Sequence, residues 1–177
     1  GVGGGVISEG RIITGTNGAA GEIGHIPVNP HETEKCNCGK KGCLEQYASG
    51  SGVVRTARRY MAEGKQSSYL SAVIKEDAIG EFTAKDVFDG AKKGDSLCML
   101  AIDKLGRYLG RALASMASVV NPDCIVIGGG VSKAGQILID VIEEHFKEYA
   151  FLPCRNVTFK LAELGNDAGI YGGASNV

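Results

Sequence analysis

A chain of 177 residues, 44% hydrophobic and 22% charged, has the make-up of an ordinary soluble globular protein, and its length suits one domain of ~100–200 residues. Its net charge of -1 gives no electrostatic ground for binding nucleic acid or an anionic membrane. No apolar run approaches the ~20 residues needed to span a bilayer, and no secretory segment opens the chain. The first residue, Gly1, stands inside Gly-Val-Gly-Gly-Gly-Val-Ile without a methionine, so the chain reads as a fragment of a longer protein.

Taken in order, residues 1–15 predict a hairpin in which Val6 and Ile7 meet Ile12 and Ile13 across a Ser8-Glu9-Gly10 turn. Residues 15–24 are too rich in glycine for a helix and lead into a short expected strand, Ile26 to Val28. A cysteine loop at 29–43 follows, with Gly39 and Gly42 as its turn residues. Helical spacing then takes over. One helix is expected from about Ser51 to Glu63, and a short apolar one at Tyr69 to Ile74 inside a polar insertion. Thr83-Ala-Lys-Asp86 has the form of a capping box opening a helix to about Lys93.

The longest predicted helix starts at Asp95 and carries Leu97, Ala101, Leu105, Leu109, Ala112 and Met116 on one face until Asn121-Pro122 stops it. Cys124-Ile-Val-Ile127 is all apolar, which predicts a central strand covered on both faces. Gly128-Gly-Gly130 ends it, a helix is expected over Ala134 to Tyr149, a strand over Val157 to Leu161, and a glycine-bounded helix start at Gly165 to Ile170. A hairpin followed by alternating helices and strands makes an α/β domain.

The densest chemistry lies between Gly15 and Glu45. His25, Cys36, Cys38 and Cys43 are spaced H-x10-C-x-C-x4-C, which supplies four ligands for a closed tetrahedral zinc site. Three cysteines within eight residues, with a histidine upstream, suit metal better than a disulfide framework. Cys98, Cys124 and Cys154 are scattered singly, and a reducing, cytoplasmic setting follows. Glu22 and Glu45 bracket the ligands. Acids pinned beside an imidazole suit a polyhydroxylated ligand, because carboxylates accept hydrogen bonds from hydroxyls; the plainer reading makes both surface acids.

Gly3-Gly-Gly5 and Gly128-Gly-Gly130 each border a strand, where backbone N–H groups can approach a phosphate, or where glycine merely permits a tight turn. The Arg55, Arg58 and Arg59 group reads as a solvated helix face.

In these residues the chain resembles the ROK family (repressors, open reading frames, kinases), and within it the bacterial glucokinases. The matching elements are GVGGGVI at 1–7, NGAAGEIGH at 17–25, CNCGKKGCLE at 36–45, IVIGGGVS at 125–132 and LGNDAGIYGGAS at 164–175. The resemblance implies an actin-like ATPase or hexokinase-type (ribonuclease H-like) fold with an inserted zinc loop and helices, residues 1–177 forming the C-terminal domain. It implies that Asn17, Glu22, His25 and Glu45 bind the sugar, and that His25, Cys36, Cys38 and Cys43 hold a structural zinc. The residues matching Gly3 and Gly4 would face phosphates, and those matching Gly128, Gly129 and Gly130 would contact nucleotide. ATP and Mg2+ are the implied partners of the reaction, glucose or a related hexose the substrate, and a homo-oligomer such as a dimer the expected assembly. The aspartate that takes the proton from the sugar hydroxyl would lie upstream, so no residue of this chain is assigned as that base.

The competing expectations are a sugar-responsive ROK repressor, a kinase for fructose, mannose or an N-acetylated hexosamine, polyphosphate as donor in place of ATP, and, more remotely, a zinc-stabilised interaction module.

Overall fold

The computed structural model describes residues 1–77 and 80–163. It opens with a hairpin, β1 (Ile7–Ser8) against β2 (Arg11–Ile12), antiparallel with Ile7 opposite Ile12. The loop holds two residues, Glu9 and Gly10, both at positive φ (52° and 73°). That is the backbone a two-residue hairpin turn requires, because it matches the twist of the strands. Ile13 N–H donates to Val6 O at 2.8 Å and extends the pairing.

The strand expected at Ile26 to Val28 is a single bridge, Pro27 to Cys43. Proline has no N–H to continue a ladder. A short helix α1 (Glu45–Ala48) then leads directly into α2 (Gly50–Ala62), whose N-cap Ser49 accepts from Gly52 N–H at 3.0 Å. The polar insertion contributes α3 (Ser68–Glu76), capped by Ser67. Helix α4 (Ala84–Lys92) starts in the expected capping box: Thr83 and Asp86 each bond the other's backbone N–H.

Helix α5 (Ser96–Val120) is the spine of the core. Asp95 caps it by accepting from Cys98 N–H at 3.0 Å, and Asn121, left-handed at φ 45°, ends it ahead of Pro122. Its buried residues Leu97, Leu105 and Ala101 pack with Leu138, Ile142 and Phe146 of α6 (Gln136–Tyr149) and with Val53, Leu70 and Val87 from α2, α3 and α4. Each fully buried aliphatic or aromatic side chain contributes ~1.5–3 kcal/mol. Helices α5 and α6 meet at backbone distance: a Cβ on Gly106 would lie 2.4 Å from Val141 O.

Strands β3 (Cys124–Ile127) and β4 (Thr158–Leu161) run parallel, Cys124 opposite Thr158 and Ile127 opposite Leu161, with α6 as the crossover. Phe146 of α6 meets Phe159 of β4 edge-on at 5.1 Å. Among the described residues β3 pairs with β4 alone, and Val126 is 59% exposed. Within the described residues, then, the strand is covered on one face and not on both as expected. Helix α6 covers one face, and an all-apolar run of four reads the same whether or not its other face is packed. The helix expected from Ala134 begins at Gln136, after a 3-10 turn over Gly130–Ala134. The glycine-bounded helix start at Gly165 to Ile170 and the motif at 164–175 lie outside the described residues. Among those residues no helix is long and apolar enough to cross a membrane.

Candidate functional site

Two local devices bring the four ligands together. His25 ends a 3-10 turn, Ile23–His25, in which Gly24 is buried against the backbone of Val2. The cysteines occupy a tight knuckle: Cys36 N–H donates to Lys40 O at 2.7 Å, and Gly39 N–H returns to Cys36 O at 2.8 Å. Gly42 holds φ at 74°, and a Cβ there would sit 1.9 Å from Asn29 O, so no other residue fits this crossing.

The single ligand atoms of His25, Cys36, Cys38 and Cys43 all lie within 4.8 Å of one another. Cys38 Sγ is 3.6 Å from Cys43 Sγ, and Cys36 Sγ is 3.8 Å from His25 Nδ1. Tetrahedral zinc with Zn–S near 2.3 Å places its ligands about 3.7 Å apart, so the spacing fits, and three thiols with one imidazole are the donors zinc favours. Burial, helped by the neighbouring Glu45 carboxylate, pushes the Cys36 thiol up to about 12, while the Lys40 backbone N–H holds Cys38 below its ordinary range. Three thiols this close could all give up their protons only with a cation among them. All six cysteines are free.

Glu45, the first residue of α1, stands at the edge of this cluster. Cys36 Sγ donates to its Oε1 at 2.9 Å, and the same oxygen is 3.9 Å from His25 Nδ1. It also lines a cleft of about 250 Å³ with Lys35, Asn37, Ser51 and Arg55. Glu22 is exposed at the start of the turn that ends in His25. Asn17 is exposed as well, its Oδ1 accepting from Ala19 N–H at 3.3 Å. The structure thus joins His25, Cys36, Cys38, Cys43 and Glu45 in one cluster.

The glycines divide. A Cβ on Gly4 would press on Gly21 O at 2.9 Å, so the first glycine run lies against the loop preceding His25, while Gly3 faces open space. The second run sits at the carboxyl end of β3. There Gly128 abuts Ala162, Gly129 adopts φ 84°, and Gly130 is open.

The expected solvated face holds for Arg58, exposed and paired with Glu81 at 3.3 Å, and is corrected for the other two arginines. Arg55 and Arg59 reach across to the cysteine loop, where the side chain of Glu32 is only 2% exposed. Arg59 takes both Glu32 oxygens at 2.9 Å, and Tyr47 OH donates to Oε2 at 2.5 Å. The Arg59 guanidinium, foremost among these partners, holds the Glu32 carboxyl well below the usual carboxylate range. The one signal in the sequence was a matched spacing: Glu32 and Glu34 two apart in a loop, Arg55 and Arg59 one helical turn apart.

Fold and site together define a class of protein. The ROK family model matches residues 1–177, and the chain belongs to the ROK family, with its sugar kinase fold of the actin-like ATPase type. Among relatives, it is 48% identical over 175 residues to the glucokinase of Halalkalibacterium halodurans, covering 98% of this chain and 52% of that one. It is 37% identical over 171 residues to the N-acetylglucosamine repressor of Escherichia coli, covering 96% and 40%. A ROK family glucokinase from Streptomyces griseus, solved with glucose and AMPPNP, superposes with a TM-score of 0.87 at 32% identity, covering 99% and 56%. The chain spans about half the length of the curated relatives it matches.

Proposed function

We propose that this chain is the C-terminal domain of a glucokinase, and that the full-length protein transfers the γ-phosphoryl group of ATP to O6 of glucose. The observation that carries the reading is the cluster itself: a carboxylate, Glu45, and an imidazole, His25, fixed side by side by three cysteines. Glucokinases similar to the chain support it at the level of the whole protein.

In this reading Asn17, Glu22, His25 and Glu45 bind the sugar hydroxyls. Four protein ligands leave zinc no open position, so the ion is structural. His25, Cys36, Cys38 and Cys43 would hold it and so tie the loop together, and with Nδ1 of His25 turned toward Cys36 Sγ, Nε2 would carry the N–H that donates to the sugar. Gly3 and Gly4 approach the phosphates, and Gly128, Gly129 and Gly130 contact the nucleotide. Mg2+ accompanies ATP, and the base that accepts the hydroxyl proton lies outside these residues. Phosphoryl transfer depends mainly on positioning and on stabilising phosphate charge, and these residues would supply the sugar side of that positioning.

The test is a coupled assay of the full-length protein with ATP, magnesium and a panel of sugars, wild type against Glu22→Gln. Rapid glucose phosphorylation, lost in the variant, is expected. A second reading, a sugar-responsive repressor, has its own support in the 37% identity to the N-acetylglucosamine repressor. Sugar binding with no turnover on any sugar would select it.

A further inference from the structure

We propose that Glu32 is a positioning residue: paired with Arg59, it sets the path of the metal loop between His25 and Cys36 before any ion is bound, and with it the placement of Glu45. Ten residues separate the histidine from the first cysteine, and a metal restrains only the two ends of that span. Free, such a loop would have to be closed against its own entropy each time the ion bound.

Glu32 removes that freedom from the middle. Its backbone curls around its own carboxylate, with Thr33 N–H and Glu34 N–H both donating to Oε1, at 2.9 and 3.1 Å. Arg59 closes the far side with a two-pronged pair, the geometry that fixes orientation as well as distance. Tyr47, whose hydroxyl takes the remaining position, stacks on Tyr108 of α5 with ring centres 4.2 Å apart. The loop is thereby tied to α2 and α5, the rigid part of the fold.

From there a short chain of bonds reaches the ligands. Arg59 also holds Glu34 at 2.7 Å, and Gln46 Nε2 donates to Glu34 O at 3.1 Å. Gln46 Oε1 then accepts from the backbone N–H of Cys43 at 3.1 Å. Gln46 is the neighbour of Glu45, so one buried carboxylate governs a metal ligand and the acid facing the cleft. The consequence for sugar rests on the proposed kinase activity, whereas the consequence for metal does not.

The experiment uses the zinc-loaded full-length protein as wild type, Glu32→Gln, Arg59→Lys and, as a control for general destabilisation, Leu70→Ala in the core of α3. Two quantities are read: the rate of zinc release to a chromogenic chelator, and steady-state kinetics with glucose and ATP. Loss of a residue that orients a ligand typically weakens metal binding about 10–100-fold, so Glu32→Gln and Arg59→Lys should release zinc at least about 10-fold faster than wild type. The KM for glucose should rise while kcat and the KM for ATP stay near wild type. Leu70→Ala should melt earlier yet release zinc at the wild-type rate. Equal release rates in Glu32→Gln and wild type, or equal acceleration by Leu70→Ala, would overturn the proposal. If Glu32→Gln does not fold, Arg59→Lys, which keeps the charge and loses the fork, decides on the same criteria. Fast zinc release from the variants, together with no sugar turnover by wild type, would sink the kinase reading and leave the positioning role standing.

Discussion

A carboxylate almost out of reach of water must be paired, and the pairing of Glu32 with Arg59 has consequences that can be measured one residue at a time. Removing one partner of a buried ion pair costs ~3–5 kcal/mol when the other charge is left uncompensated. Arg55 stays 3.6 Å from Glu32, so Arg59→Ala should lower the unfolding free energy by less than that, about 2 kcal/mol in urea titrations. The pH dependence follows from the direction of the shift. Glu32 has its folded value depressed below the ordinary 4.5, with the Arg59 hydrogen bonds as the main cause. Its stabilising contribution is therefore complete above that value and is lost as pH falls through the lower, folded one. Between pH 5 and 8 it adds no slope. Below pH 4.5 the wild type should lose stability more steeply than Glu32→Gln, as read from urea midpoints across an acid series. Single residues of this kind were the least legible part of the sequence. Cys36, Cys38 and Cys43 announce a metal through spacing alone, but Glu32 looks like any loop acid until the chain folds back and puts α2 beside it.

Elements were easier to read where a local rule dictates them. Thr83 and Asp86 satisfy each other's backbone donors at 2.8 and 3.4 Å, and a substitution that breaks such a cap costs ~1 kcal/mol. Thr83→Ala should destabilise the domain by about that amount in chemical denaturation. Helix α5 was legible for the same reason: Asp95 starts it, Asn121 and Pro122 stop it, and the apolar face between them has the helical period. Reading failed where an element depends on a neighbour distant in sequence. The stretch from Ile26 to Val28 has strand composition, yet Cys43 offers it one bridge. Val126 sits in an apolar run, yet nothing among the described residues covers it.

The metal loop belongs at this scale too, because its few backbone bonds and the Glu32 pair must do without a hydrophobic core of their own. Metal binding by such a loop is coupled to folding. Cys38→Ser should therefore lower both the melting temperature and the zinc content of the purified protein. Full metal occupancy with an unchanged melting temperature in that variant would refute the assignment of Cys38 as a ligand.

At the scale of the molecule, the chain spans about half the length of the relatives it matches, and its properties divide accordingly. The chain covers 52% of the Halalkalibacterium halodurans glucokinase and 56% of the Streptomyces griseus structure. It carries the His/Cys cluster that could hold a metal, Glu45 and both glycine runs, and on the proposed reading the base that accepts the proton of the attacking hydroxyl lies outside the described residues. Metal binding would need only the loop, because the His/Cys cluster and the Glu32–Arg59 pair are all local to residues 25–59. Phosphoryl transfer needs nucleotide, magnesium and sugar held in line, and the gain from such positioning is lost with a misplacement of about 1 Å. The two properties should therefore separate. The purified 177-residue chain should bind one zinc ion and form no glucose 6-phosphate from glucose and ATP, while the full-length protein does both. Product from the short chain would mean that its own carboxylates include the missing base, and Glu22, exposed beside His25, would be the first to replace with glutamine.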